Sequence, residues 1–201
     1  MGAINEELIR NFLLRSIFST CDKEKFHMSG IKRAYRDFNR TLRIKDTEQK
    51  NWDEKRKSTE KFLQKELMKL ISNNYPNQKT FDADHRKLCE DLQVEWGKLT
   101  IGQCQKWINM SLKYWVVLGV DGIERNLSLF HVPIDSYVLK GELCKGMTNK
   151  QGCWSKIKNY DTYFEYQKHI RQKYVGAIPL EMEFNFFNDT EPNPQSSPNQ
   201  I

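Results

Sequence analysis

Two lysines interrupt the longest apolar stretch of the sequence, residues 100–118. At about 100° per residue, Lys106 and Lys113 fall on one side of the helix that this stretch predicts. Gln103 and Asn109 share that side. A charge on a buried helix is unfavourable unless it is paired or faces a cleft. The two amines are therefore candidates for a site in which a lysine acts as a nucleophile.

A carboxylate, Asp135, follows two residues after a proline that restricts the backbone before it. In the run Val132-Pro133-Ile134-Asp135-Ser136 the proline imposes an extended backbone, and Asp135 can cap the helix predicted over residues 136–143. Asp135 comes 29 residues after Lys106. Each residue also has an ordinary explanation, because most lysines extend to solvent and many aspartates only cap helices.

Taken together, these residues resemble the helix-hairpin-helix DNA glycosylase superfamily, nearest to the archaeal 8-oxoguanine glycosylase branch and bacterial proteins of that fold. The resemblance rests on a glycine turn at Gly102, a helix that opens with Lys106, and the Val-Pro-x-Asp-Ser run that starts a later helix. It implies that Lys106 attacks the sugar carbon bearing the base. It also implies that Asp135 orients the nucleophile and stabilises the cationic sugar. The likeness covers residues 102–139.

The sequence departs from the family pattern in the hairpin. Gln103, Cys104 and Gln105 stand where further glycines are usual. Gly102 and Gln103 are the residues expected to contact a DNA phosphate. Lys113 lies two turns beyond Lys106 on the same face, about 10 Å along the helix, and is the alternative nucleophile.

Excision requires that the nucleotide leave the base stack, and aromatic side chains commonly receive the flipped base. The candidates for this role are Trp107, Trp115 and Trp154, although buried tryptophan ordinarily belongs to a core. A lysine must also be neutral to attack, and apolar neighbours favour the neutral form. Trp107 and Tyr114 are the expected apolar wall.

The positive charge of the chain lies in its first third. Residues 1–75 hold 17 lysines and arginines against 11 acidic residues, which accounts for the whole net charge of +6. The predicted second helix carries four of these cations, which are Lys32, Arg33, Arg36 and Arg40. Such a surface suits the phosphates of double-stranded DNA, whereas the simpler interpretation is a solvated helix face.

Composition bounds the class of protein. Aromatic residues make up 12% of the 201 residues, which argues against disorder, and no stretch approaches 18 consecutive apolar residues. Glu6 and Glu7 stand where a signal peptide would be basic. Five cysteines without a C-x-x-C pair and four scattered histidines predict free thiols and no metal or other cofactor. We therefore expect a soluble intracellular protein of the cytoplasm.

Helical spacing recurs along the chain and strand-like alternation is nearly absent, so the sequence predicts an all-α, compact multi-helix domain resembling the glycosylase fold. The predicted helices span residues 4–18, 29–42, 47–72, 82–96, 100–118, 136–143, 160–174 and 179–187. Residues 1–188 form one domain, with basic N-terminal helices in 1–75 and central and C-terminal helices in 76–188. The proline-containing polar tail, 189–201, is predicted to be disordered.

The sequence thus predicts recognition and excision of damaged DNA bases by a glycosylase with lyase activity, a hydrolase of DNA repair. Two other classes stay open. One is a non-catalytic helical module that binds nucleic acid or an acidic protein through its basic helix. The other is a subunit of a larger assembly that docks through residues 4–18. The sequence leaves the oligomeric state open.

Overall fold

Helices account for all of the regular structure in the residues that the computed structural model describes, 4–42, 49–147 and 152–188. The all-α fold class is therefore confirmed. The α-helices of these ranges are α1 (Glu6–Phe18), α2 (Phe26–Phe38), α3 (Gln49–Ser72), α4 (Gln78–Trp96), α5 (Ile101–Leu118), α6 (Ser136–Lys140), α7 (Tyr160–Lys173) and α8 (Pro179–Asn188). Short 3₁₀ segments occupy Lys23–Lys25, Asn39–Thr41, Ile123–Leu129, Glu142–Cys144 and Trp154–Lys156. The predicted disordered tail lies outside the described residues.

Polar side chains cap five of the helices. Each accepts a hydrogen bond from a backbone N–H of the first turn, and the caps are Asn5, Asn77, Thr100, Asp135 and Asn159. Gly97 and Gly119 end α4 and α5 in left-handed backbone, at φ 87° and 64°, which glycine adopts without steric cost. Because only residues 97–100 join α4 to α5, these two helices form a tight helical hairpin.

The central helix is α5, and α2 packs along it. The indole N–H of Trp107 donates to the Ile31 carbonyl oxygen at 3.1 Å, and that of Trp115 donates to the His27 carbonyl oxygen at 2.9 Å. A Cβ on Gly30 would lie 2.7 Å from the Trp115 ring, so the missing side chain allows this close approach. One hydrophobic cluster receives buried side chains from each of the eight helices named above.

Four helix boundaries differ from those predicted. α2 begins at Phe26, before the predicted cap Ser29, because a 3₁₀ turn runs directly into it. It ends at Phe38, four residues before the predicted end, and the 3₁₀ turn Asn39–Thr41 follows it. α4 begins four residues early, since Asn77 accepts a hydrogen bond from the Thr80 N–H. α6 ends three residues early and continues after Gly141 as a 3₁₀ turn. The predicted positions of α1, α3, α5, α7 and α8 are confirmed to within two residues.

A polar network crosses the core between α4, α5 and α7. The two ring nitrogens of His85 lie 2.8 Å from Tyr160 Oη and from Asn109 Oδ1. Asn109 also donates to Tyr163 Oη at 2.9 Å, and His131 Nδ1 lies 2.8 Å from that same oxygen. Burial lowers the pKa of both histidines. Asn109 therefore serves this network and does not face the same cleft as Lys106.

All five cysteines are free thiols, as the sequence predicts, and Cys89, Cys104 and Cys144 are buried. Burial raises the pKa of Cys89 and of Cys104, which keeps these thiols protonated. Among the described helices, none is long and apolar enough to cross a lipid bilayer.

Candidate active site

Lys106 and Asp135 meet directly. Lys106 Nζ donates to Asp135 Oδ2 at 2.6 Å, although 29 residues separate the two in the sequence. The Lys106 side chain is only 6% exposed and the Asp135 side chain 26%, so the pair has one side toward solvent. The prediction that Asp135 begins a helix and faces the helix bearing Lys106 is confirmed.

The two carboxylate oxygens of Asp135 have different partners. Oδ1 accepts a hydrogen bond from the Val138 N–H at 2.9 Å and so caps α6. Oδ2 is left for the Lys106 amine. The cap fixes the rotamer of the aspartate, and the carboxylate is thereby presented to the amine in one orientation. Asp135 is therefore both a helix cap, through Oδ1, and the ion-pair partner of Lys106, through Oδ2.

Two buried glutamines hold the extended run that carries Asp135. The Gln105 side chain accepts from the Ile134 N–H at 3.1 Å and donates to the Ile134 carbonyl oxygen at 2.7 Å. The Gln167 side chain bonds the N–H and the carbonyl oxygen of Val132 in the same way, at 3.0 and 2.8 Å. Both amides satisfy backbone groups that the extended run cannot pair by itself.

A cavity of about 670 Å³ opens beside the pair. Its walls come from α2, α5, the start of α6, the 3₁₀ turn at Trp154–Lys156, and α8. Charged and aromatic side chains line it, and they include those of Arg33, Arg36, Arg40, Lys106, Lys113, Tyr114, Asp135, Trp154, Glu183, Phe184 and Phe187. This volume lies within the range typical of small-ligand pockets, about 300–1,000 Å³.

Lys113 lines the same cavity but has its own acidic partner. Its amine donates to the Glu183 carboxylate on α8, and both side chains are buried. The amine also lies 4.6 Å from the ring centre of Phe184 and 5.2 Å from that of Phe187. The two ring faces add cation–π contacts to the ion pair with Glu183. The cavity thus contains two lysine–carboxylate pairs along one face of α5.

Of the three tryptophans predicted to receive a base, only Trp154 lines the cavity. Trp107 and Trp115 are fully buried between α5 and α2, with their indole N–H groups bonded to α2. The prediction is wrong for these two residues, because an indole that fills the core is not available to a ligand. Tyr114, predicted beside Trp107 as an apolar wall, does face the cavity.

The predicted basic residues border two neighbouring clefts. Arg33, Arg36 and Arg40 line the cavity with Lys106. Lys32 does not line that cavity; it lines a second cleft of about 490 Å³ beside the α1–α2 connection, which Arg33 and Arg36 also border. Arg33 Nη1 lies 2.6 Å from Asp37 Oδ1, so its charge is already paired. Arg36 and Arg40 are exposed and are the cations best placed to contact an anionic ligand entering the cavity.

Asp37 also reaches the cavity wall through Tyr114. The Tyr114 hydroxyl donates to Asp37 Oδ2 at 2.6 Å, and the Arg33 guanidinium lies 5.6 Å from the centre of the tyrosine ring. Burial, followed by the bond to Asp37, raises the pKa of Tyr114. The tyrosine therefore stays protonated and forms a fixed part of the wall.

The expected phosphate contacts at Gly102 and Gln103 are not on the surface. Both residues lie in the first turn of α5, buried, and the loop of the hairpin is residues 97–100. A Cβ on Gly102 would lie 1.9 Å from the Trp154 carbonyl oxygen, so this glycine lets the 154–156 turn pack against α5. The Gln103 amide donates to the Thr41 hydroxyl at 3.0 Å. The prediction that Gly102 and Gln103 form a phosphate-binding turn is wrong.

The sequence reasoning missed two residues of the site. Glu183 lies four residues before Phe187, on the same face of a helix that otherwise alternates polar and apolar residues, and that spacing was a usable signal. Gln105 was placed in a turn, although an amide on a buried helix must find partners for its hydrogen bonds. In the described part of the chain, no group of three or more His, Cys, Asp or Glu side chains could hold a metal ion.

Comparison of the chain with protein-family models, with curated proteins and with solved structures finds no match. The geometry of the cavity and the resemblance of residues 102–139 are therefore the basis for a proposed function.

Proposed function

We propose that this protein excises damaged bases from double-stranded DNA, as a glycosylase in which Lys106 is the nucleophile. The observation that carries the proposal is the 2.6 Å pair of Lys106 with Asp135 at the wall of a cavity that arginines border. The α4–α5 hairpin, which places Lys106 on its second helix, supports the resemblance to the helix-hairpin-helix superfamily.

The pair has what attack on a sugar carbon requires. Asp135 Oδ2 is in contact with the amine and can take the proton that Lys106 must lose before its nitrogen attacks the anomeric carbon. As the new C–N bond forms, the bond from the sugar to the base breaks, and the base leaves with the electron pair and accepts a proton. The Asp135 carboxylate, once the proton has moved on, stabilises the positive charge that develops on the sugar.

Lys106 is a better candidate for the nucleophile than Lys113. The Lys113 amine donates to a buried carboxylate and lies against two phenyl rings, so these neighbours already surround it. Asp135 is partly exposed at the cavity, so Lys106 has a proton acceptor that a bound nucleotide can also contact. In this proposal Lys113 and Glu183 form the far wall of the pocket, beside the aromatic rings.

The cavity also suits a nucleotide turned out of the duplex. Trp154, Phe184 and Phe187 offer aromatic surfaces at the pocket, and flipped bases are commonly held by stacking. Arg36 on α2 and Arg40 on the 3₁₀ turn that follows it border the same cavity, where they can contact the phosphates on either side of the flipped nucleotide. The proposal therefore assigns the base to the aromatic side and the phosphodiester backbone to α2 and the 3₁₀ turn after it.

Borohydride trapping tests the nucleophile. After the amine has displaced the base, the sugar ring opens: the bond from C1′ to the ring oxygen breaks, the oxygen takes up a proton, and an imine joins Lys106 to C1′. Borohydride reduces this imine to a permanent link between protein and DNA. We expect the full chain to be trapped on a duplex carrying 8-oxoguanine, or on another member of a panel of oxidised and alkylated bases. Lys106→Ala should abolish trapping, whereas Lys113→Ala, the matched loss of a paired lysine seven residues away, should retain it.

Asp135→Asn separates the two roles of the aspartate. Asparagine also caps helices well, so the thermal unfolding temperature should change little, while the trapping rate falls by about 100-fold or more because the proton acceptor is lost. Trapping that depends on Lys113 and not on Lys106 would identify Lys113, two turns further along α5, as the nucleophile. Absence of trapping from every duplex in the panel would refute catalysis.

A non-catalytic nucleic-acid-binding module is the second candidate, favoured by exposed Arg36 and Arg40. Its signature is duplex affinity that falls steeply with salt, without trapping. In either case, Arg36→Ala with Arg40→Ala should lower the slope of log affinity against log salt by about 2. The matched control is Lys61→Ala with Lys65→Ala, two exposed cations of α3 outside the cavity, which should leave the slope unchanged.

A further inference from the structure

The first helix carries a wide apolar face that points away from the molecule. Six large side chains at its surface are between 45% and 72% exposed, and they are Ile4, Leu8, Ile9, Phe12, Leu13 and Ile17. The opposite side of α1 holds Leu14 and Phe18, which pack on the hydrophobic core. An exposed contiguous apolar patch on a folded chain usually marks an interaction surface.

The pattern of this face, from Ile4 just before α1 to Ile17 near its end, is symmetric about its own centre. Reversing α1 about the point between Arg10 and Asn11 exchanges Ile4 with Ile17, Leu8 with Leu13, and Ile9 with Phe12. When two identical helices pack antiparallel about a twofold axis at that point, exchanged residues come to the same level of the interface. Every apolar side chain of one copy then lies level with an apolar side chain of the other.

The charges of α1 favour the antiparallel arrangement as well. Its first turn contains Glu6 and Glu7, and its last turn contains Arg15. Antiparallel packing brings the acidic turn of each copy level with the basic turn of the other, and it also opposes the two helix dipoles. Parallel packing would align like charges. With Arg10 included, the charges of the helix cancel, whereas helices that bind anionic lipid surfaces are rich in lysine and arginine.

We propose that the occupant of this face is a second copy of the chain, and that the protein forms a twofold symmetric dimer through antiparallel α1 helices. Self-complementary contact is what such an isologous interface requires. Stable interfaces bury about 1,200 Å² or more in total, and six large apolar side chains from each of two copies are of that order. The inference is independent of the proposed excision activity, because α1 contributes no residue to the cavity.

Sedimentation equilibrium tests the dimer directly. We expect the chain to give a mass of twice 23.9 kDa over a concentration range of about 1–100 µM, by mass action. Leu8→Glu and Phe12→Glu should each halve that mass. The matched controls are Val94→Glu and Val175→Glu, which put the same charge on apolar residues 83% and 86% exposed outside α1, and these should remain dimeric.

Circular dichroism of each variant establishes that it is folded, so that a halved mass reports on the interface alone. A wild-type chain that is monomeric across the range overturns the proposal. Monomers that co-sediment with phosphatidylcholine vesicles would assign the face to lipid instead. Loss of the dimer in the Val94 or Val175 variants would place the interface elsewhere.

Cross-linking tests the antiparallel register in a chain whose partly exposed Cys21 and Cys153 are replaced by serine. A mixture of Ile4→Cys chains and Ile17→Cys chains should be joined by a short flexible bifunctional maleimide, because the two thiols come to the same level of the helix pair. Ile4→Cys chains alone should not cross-link, because their two thiols would lie about 20 Å apart along the helix pair. The reverse result would show a parallel pair and contradict the proposed symmetry.

Discussion

At the scale of single residues, the chemistry of the site depends on which side-chain atoms already form hydrogen bonds or ion pairs within the protein. Asp135 uses one oxygen as a helix cap and the other for Lys106, so it is positioned before any substrate arrives. Lys113 has a different environment, in which a carboxylate and two phenyl rings surround the amine. Two lysines seven residues apart on one helix face are chemically unlike because of their neighbours.

A substitution at Gly102 can be predicted at the residue scale, because the 154–156 turn packs against α5 at this glycine. Gly102→Ala should lower the free energy of unfolding by about 3 kcal/mol or more, since the new Cβ would lie 1.9 Å from a backbone oxygen that cannot rotate away. Gly152→Ala is the matched control, because no atom lies within 4 Å of the added Cβ, and it should change stability by less than about 0.5 kcal/mol. Urea unfolding of both variants measures the difference, and equal losses would contradict the packing role.

At the scale of elements, an extended loop delivers the carboxylate to a helix. Pro133 removes one backbone donor, and glutamines from α5 and α7 pair the flanking groups at Ile134 and Val132. Because each clamp bonds both a donor and an acceptor of one residue, the loop is held in position and orientation. The geometry of the Lys106–Asp135 pair therefore depends on α7 as well as on α5.

Replacing the clamps tests this dependence. Gln105→Leu and Gln167→Leu should each lower the free energy of unfolding by about 2–4 kcal/mol, because each leaves two buried backbone groups without partners. Their effects on trapping should differ, since Ile134 is adjacent to Asp135 and Val132 is three residues away. Measured at a temperature where both variants are folded, the trapping rate should fall more for Gln105→Leu. Equal trapping rates would show that the clamp beside Asp135 has no special part in positioning it.

At the scale of the whole molecule, the buried His85–His131 network ties stability to pH. Burial is the main cause that lowers the pKa of each ring, with His131 adding to the effect at His85 and Asp82 opposing it at His131. In the unfolded chain both histidines return to an ordinary pKa near 6.5. Below that pH the unfolded chain binds protons that the folded chain does not bind, and stability falls as pH falls.

We expect the free energy of unfolding to be level above about pH 7 and to decrease below about pH 6.5, by up to about 1.4 kcal/mol per pH unit for each histidine. Urea unfolding between about pH 7.5 and 5.5, above the range of ordinary carboxylates, measures the slope. His85→Gln removes one titrating group and should reduce that slope. Stability that is constant across this range would contradict the assignment of these rings as neutral buried groups.

The helices and the residues most open to chemical interpretation could be predicted from the amino-acid sequence. Apolar periodicity and capping residues are local properties, so α1, α3, α5, α7 and α8 were predicted to within two residues. The same locality explains the four displaced boundaries, where a neighbouring turn or an alternative cap replaced the predicted one. Lys106, Lys113 and Asp135 were identifiable because charge on apolar helices and a proline-directed cap are visible without knowing any contact.

Which of these residues are in contact depends on how the helices pack, and local sequence patterns do not show this. Helical spacing gives the side of α5 on which a residue lies but not what packs against that side. Asn109 therefore bonds to a buried histidine, and Trp107 and Trp115 pack against α2. Glu183 on the last helix pairs with Lys113. These outcomes depend on contacts between residues tens of positions apart, which arise when the helices pack and which no local pattern encodes.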